Sequence, residues 1–334
     1  MPIPFLFIGL AAAGVIGGGK TVKAGVDSKK ASEINSSAQD LIDKAKDRIN
    51  NSRETCNDSL ENLGRLKISV LDQSMNRFVD CMDKVANIEF TESKGINELN
   101  NLKLEKKDYD DLKNLGSIAS SMLAGGAAGV AGGALAAFGA YSAVATFATA
   151  STGTAIASLS GVAASNATLA FLGGGTIAAG AGGVAGGMAV LGGLVAGPAL
   201  LITGFITGSK AKANLDRAYS NKAEAEKISE ELGAGADKCD AIRRRTYMIY
   251  ILLAKLDAIF FPIILKMQEI IKNKGNDYST YSKEERAVFA EGQSIAGSIK
   301  SILDVTILNE NGELAEESQK VIDSTTLYLN DAGK

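Results

Sequence analysis

From Asn114 to Ser209 the chain carries no Asp, Glu, Lys or Arg, an uncharged run of 96 residues bounded by Lys113 and Lys210. Charged residues recur every few positions elsewhere. A solvated surface normally carries charge, so a run this long must find its surroundings in protein or in lipid. Gly and Ala dominate it, and 22 of the 37 glycines fall inside. Each interior helical Gly costs about 1 kcal/mol relative to Ala, a penalty that close packing has to offset.

The glycines repeat at intervals of four. Gly125, Gly129 and Gly133 form one ladder, Gly182/Gly186 and Gly183/Gly187 two more, and Gly193/Gly197 another. This spacing leaves a flat groove on a helix and lets a second backbone approach, the contact that drives helix association in lipid. The run divides into two long apolar elements around a shorter one, with turns at Ser151–Thr154 and Gly173–Gly175. Ser and Thr gather near its middle, where a hairpin tip would lie. A helix of about 34 residues reaches roughly 50 Å, more than the ~30 Å hydrocarbon core. An even number of crossings leaves both charged flanks on one side. Lys113 before the run, with Lys210 and Lys212 after it, fits headgroup-facing positions on a shared cytoplasmic side. Gly and Ala are weak hydrophobes, however, and a soluble protein with the hairpin as a close-packed core satisfies the same pattern.

The charged flanks predict helices. Before the run, Ile34, Ala38, Leu41, Ala45, Ile49, Cys56, Leu60 and Leu63 keep helical spacing, and the stripe continues through Leu71, Met75, Phe78, Met82 and Val85. The pattern loosens at Asn62–Gly64 and breaks near Thr91–Ile96, predicting two or three helices. After the run, a helix through Leu215, Ala218, Ala225 and Ile228 is expected to stop at Gly233 and Gly235. A greasier one follows over Thr246–Met267, kinked or interrupted at Pro262. Lys255 and Asp257 in its middle favour a bundle helix over a membrane span. Ser282 and Glu285 spell a capping box, "DVTILNENGEL" a short strand and turn, and Ala315–Leu329 a last helix. The fold class expected is all-α, an elongated helical bundle around the apolar hairpin. Its parts are an apolar N-terminal helix or anchor (1–26), an amphipathic region (27–113), the uncharged run (114–209), a helical region (210–275) and a small helical end (276–334).

Other chemistry finds little support. The chain has no His, so the usual neutral-pH base and commonest metal ligand are missing. Cys56, Cys81 and Cys239 are far apart and form no C-x-x-C pair, so no metal site and no cofactor is expected. "LNENGELAEE" fails as a calcium loop, because its first and twelfth positions fall on Ile307 and Ser318. A formal charge of −3, with basic and acidic residues interspersed along most of the chain, argues against nucleic acid as a partner.

"AAAGVIGGGKTV" satisfies the phosphate-loop pattern at Gly14, Gly19, Lys20 and Thr21. A strand, a parallel sheet and a magnesium-binding Asp are needed beside it, and the sequence offers a helical stripe instead. The same letters fit an N-terminal apolar helix whose Lys20 and Lys23 meet headgroups. A non-enzymatic protein is therefore expected.

The stretch "STGTAIASLSGVAASNATLAFLGGGTIAAGAGGVAGGMAVLGG", Ser151–Gly193, resembles a glycine-rich block of poorly characterised bacterial proteins, where it also lies between charged helical regions. The layout is similar to apolipoprotein-L-like proteins and α-helical pore-forming toxins, although this run is longer and richer in glycine. The resemblance implies a bacterial protein, and the apolipoprotein-L-like proteins and toxins of similar layout insert a sequestered hairpin into a bilayer. With the basic flanks and the glycine ladders, the expectation is a protein of the bacterial cytoplasm and inner membrane whose hairpin meets a lipid bilayer and pairs in a homo-oligomer or with a helical protein partner.

Overall fold

Two long helices carry the architecture, because each presents a continuous buried seam that is mostly apolar. The computed structural model describes residues 21–88, 104–124, 135, 138–140, 215–308 and 314–332. Of this part 91% is helical, with no strand or sheet, so the fold is all-α. Helix α1 (Thr21–Val70) passes through one π-turn (Leu71–Met75) into α2 (Asn76–Lys84). Helix α3 is Lys106–Ala124, α4 Leu215–Lys274, α5 Lys283–Asp304 and α6 Glu316–Ala332.

On α1 the buried residues step through Ala38, Ile42, Ala45, Ile49, Ser52 and Cys56 at alternating intervals of four and three. On α4 they step the same way through Cys239, Ile242, Thr246, Ile249, Leu253, Leu256, Phe260, Ile263 and Met267. Such a 3–4 repeat keeps one seam facing a partner helix. Asn35 accepts from Asn221 (3.0 Å), Arg48 donates to Asp237 (2.5 Å) and Ser74 donates to Asp257 (2.5 Å). Positions advance together along both chains, so α1 and α4 run parallel. At 1.5 Å per residue they extend about 75 and 90 Å. Parallel neighbours require a return path along their length.

That return begins with α3, which runs antiparallel to α1–α2. Lys113 pairs with Asp83 (2.5 Å), Gly116 lies on Asn76, and Ser120 bonds Asp72. Further along the chain, helical residues Leu135 and 138–140 lie beside Leu60, Gly64 and Lys67 of α1. After α4 the chain reverses through a 3₁₀ turn at Tyr278–Thr280, where Asp277 caps the Ser279 amide and Tyr278, Tyr281 and Phe289 pack with ring centroids 5.4–5.9 Å apart. Helix α5 then runs antiparallel to α4, with Lys274 near Glu285 (3.8 Å) and Gly292 against Met267 and Ile263. Its start is the expected capping box. The Ser282 hydroxyl accepts from the Glu285 amide (3.2 Å), and the Ser282 amide donates to the Glu285 carboxylate (2.8 Å).

Several breaks expected from the sequence are absent. The stripe continues through Asn62–Gly64 without a stop, and α4 runs unbroken through Gly233, Gly235 and Pro262. Two glycines cost about 2 kcal/mol of helix propensity, less than a seam of this length stabilises. Pro262 and Ala258 both lie on the exposed side of α4, so the carbonyl that loses its amide partner there faces water. The break expected near Thr91–Ile96 falls outside the described residues. At the expected strand and turn, Leu308 and Leu314 form a single antiparallel bridge. Helix α1 starts at Thr21, ahead of the boundary expected at residue 27.

Candidate functional site

The uncharged run is the candidate region, and its described margin is Asn114–Ala124 with residues 135 and 138–140. One glycine of the run and one of α1 make backbone-level contacts between the two. A Cβ on Gly139 would fall against the Leu60 carbonyl, and one on Gly64 of α1 against the Leu135 carbonyl. These two glycines therefore let two helices approach until their backbones touch. Gly116 meets the Asn76 side chain in the same manner. The ladder glycines Gly125, Gly129, Gly133, Gly182, Gly183, Gly186, Gly187, Gly193 and Gly197 lie outside the described residues, as do Lys20, Lys210 and Lys212. So do Gly14 and Gly19 of the phosphate-loop pattern. Thr21 and Lys23 stand in the first turn of α1. Among the described residues there is no strand that would build the sheet a phosphate loop requires.

Lys113 points at α2. Its ammonium reaches the Asp83 carboxylate, both groups half exposed, and that hydrogen bond is the main reason its pKa stands above the ordinary value.

A buried polar cluster joins the margin of the run to the rod. Lys67 occupies the α1 seam four residues after Leu63 and is 0% exposed. Its ammonium donates to the carbonyls of Phe138 (3.3 Å) and Gly139 (3.5 Å) and lies 5.7 Å from the Phe138 ring centroid. Burial pushes this ammonium down to about 7, while the negative charge of Asp304 pulls the other way. Asp304 is held by Lys300 (2.5 Å), which also reaches Asp108 (3.2 Å). Burial alone would lower Lys300, but its hydrogen bonds to Asp304 and then Asp108 leave it above its ordinary value. Nearby, Tyr109 donates to Gln293, whose amide donates to the Leu104 carbonyl (3.1 Å). Burial raises the Tyr109 phenol. The cluster pins α1, α3, α5 and residues 138–139 to one another.

A second polar set surrounds the π-turn. Asp72 accepts from Ser120, Asn76 donates to Ser120 (3.3 Å), and Ser74 donates to Asp257 (2.5 Å). The extra residue of the π-turn shifts the apolar stripe by one position and brings these side chains to α3 and α4. Asp257 thereby has a partner inside an otherwise apolar stretch, while Lys255 reaches solvent. Helix α4 is long and apolar enough to cross a membrane by length and composition, and 39% of its apolar stretch is buried.

The three cysteines are free and buried. Burial raises Cys56 to about 12, with Cys239 across the seam adding to the effect, and raises Cys81 to about 11. Thiols so disposed are poor nucleophiles. Among the described residues no group of three His, Cys, Asp or Glu could hold a metal. An open groove of about 530 Å³ between α1 and α4, lined by Ser36, Asp40, Lys44, Lys222 and Glu226 among others, is polar and mixed in charge.

Lys67 went unread in the sequence, although its place on the stripe between Leu63 and Leu71 marks it as a charge in a core position. Gly64 and Gly139 also went unread, because neither belongs to a four-residue ladder. No protein family, no curated protein and no solved structure matches this chain.

Proposed function

We propose that this is a non-enzymatic, membrane-associated helical protein in which a charged helical frame presents the glycine-rich run to a bilayer. The observation that carries the reading is the run of 96 residues without a charge between Lys113 and Lys210. Lipid accepts such a segment readily, and its small-xxx-small ladders suit helix association there. The frame supplies the complement: α1–α6 carry charge on their outer faces and bury a continuous apolar core. The ladder glycines hold helices of the run, or of a second copy, against one another. In this reading residues 141–209 engage the bilayer, while the margin up to Ala140 stays docked on α1.

A second reading is a soluble helical scaffold with the whole run as a packed core. The Gly64–Leu135 and Gly139–Leu60 contacts favour it, because part of the run already packs at backbone distance on a soluble-looking rod. Alkaline carbonate extraction of cell membranes, followed by protease digestion of sealed vesicles, separates the two. The membrane reading expects the chain to stay in the pellet with a protected fragment from 141–209. Full recovery in the soluble fraction, with no protected fragment, would sink it.

A further inference from the structure

From Arg244 to Lys266, short of the exposed Glu269, the outer face of α4 combines exposed apolar side chains with exposed cations. Tyr247 is 60% exposed, Met248 43%, Ile259 39% and Leu265 46%, and Ile251 is half-buried beside them. Isolated apolar residues on a surface need no explanation, but these share one side of one helix, opposite the seam that packs on α1.

The cations on that face are regularly placed. Arg244, Lys255 and Lys266 are all exposed and stand eleven residues apart. Eleven residues are three helical turns, so the three charges form a nearly straight line about 33 Å long. Among the described residues none of the three has an ion-pair partner. Between Arg244 and Lys266 the sequence has one carboxylate, Asp257, and it is turned to the flank to accept from Ser74. Arg77 of α2 adds a further exposed cation at the edge, 5.3 Å from the Phe261 ring centroid.

A helix with large apolar side chains interleaved with Lys and Arg on one face lies in a membrane interface, the apolar groups entering the acyl boundary and the cations meeting phosphates. From this we infer that the outer face of α4, Arg244 to Lys266, lies flat on an anionic lipid surface. A straight row of evenly spaced cations suits a planar array of negative headgroups. The inference rests on the membrane reading for the presence of a bilayer and adds which face of the frame meets it.

The test uses the full chain carrying an environment-sensitive fluorophore on Ile259→Cys. The native cysteines are buried with raised pKa values, so the introduced thiol reacts selectively. The protein is mixed with vesicles of phosphatidylcholine containing one-third phosphatidylglycerol, and with phosphatidylcholine alone. The expected result is a blue shift on the anionic vesicles. Binding becomes about a hundredfold weaker in R244Q/K255Q/K266Q, whose fold is checked by its melting curve. A silent label on a chain that sediments with vesicles overturns the inference, as does equal response to both vesicle types. A shift that grows with protein concentration without vesicles also overturns it, assigning the face to a second copy. If the label is silent while carbonate-washed membranes retain the chain, only this inference fails. If the label responds but carbonate strips the chain, only insertion of the run fails.

Discussion

The two ends of the α1–α4 pair are held together differently. Below about Cys56 and Ile242 the core is a seam of Ala38, Ile42, Ala45 and Ile49 against Ala225, Ile228, Leu232 and Ala236. Of the polar ties there, Arg48–Asp237 is exposed and adds little, and Asn35–Asn221 is a half-buried amide pair. Above that level the core turns aromatic. Phe78 meets Phe260 at 5.3 Å and Tyr109 of α3 at 6.1 Å, Gly292 of α5 lies beside its ring, and residues 138–140 join α1 nearby at Leu60 to Lys67. The lower part is a repeat that any two matched helices can form. The upper part is a unique junction, fixed by contacts between residues far apart in sequence, and the uncharged run is tied to this junction.

Substitutions can break or sharpen that contrast. Phe260→Ala should cost most, about 3–5 kcal/mol, because it empties the aromatic centre of the junction. Denaturant unfolding should show this loss, and a cost below about 1 kcal/mol would mean that the junction is loosely packed. Gly139→Ala comes next. Its Cβ would strike the Leu60 backbone, and overpacking of about 1–3 kcal/mol exceeds the roughly 1 kcal/mol gained in helix propensity. Lys67→Met tests the buried charge through pH. The folded value of about 7 lies below the ordinary 10.5, so the folded protein holds fewer protons than the unfolded chain between those values. Stability therefore rises with pH from about 7 to 10 and is lowest below 7. The methionine variant should flatten that rise in a series of melts, and an unchanged slope would place the proton elsewhere.

The smallest effect has the opposite sign. At Gly233, in the lower pair, a Cβ would meet nothing closer than an Arg48 nitrogen at 3.7 Å. Gly233→Ala should stabilise by about 1 kcal/mol, a rise in melting temperature. The same Gly-to-Ala change thus separates a glycine the junction needs from one the lower pair only tolerates.

What was legible in the sequence follows the same division. The all-α class and the Ser282–Glu285 cap are local signals, readable from spacing alone. Gly233 and Gly235 read as breaks, and Pro262 as a kink or a break, on local propensity, and the seam carries the helix through all three. The core position of Lys67 shows in its place on the stripe, but its partners do not, since the carbonyls it serves lie about seventy residues away and its neighbour Asp304 farther still. Gly64 and Gly139 were missed for a related reason. A four-residue ladder describes two helices meeting along their length, whereas these glycines serve one crossing.

Hydrogen exchange with and without vesicles containing one-third phosphatidylglycerol reports whether the run enters lipid. If it does, amides of residues 141–209 gain strong protection only when vesicles are present, while those of α1 around Gly64 are equally protected in both conditions. Strong protection of 141–209 in detergent-free solution, unchanged by vesicles, would contradict that entry and make the whole run a packed core.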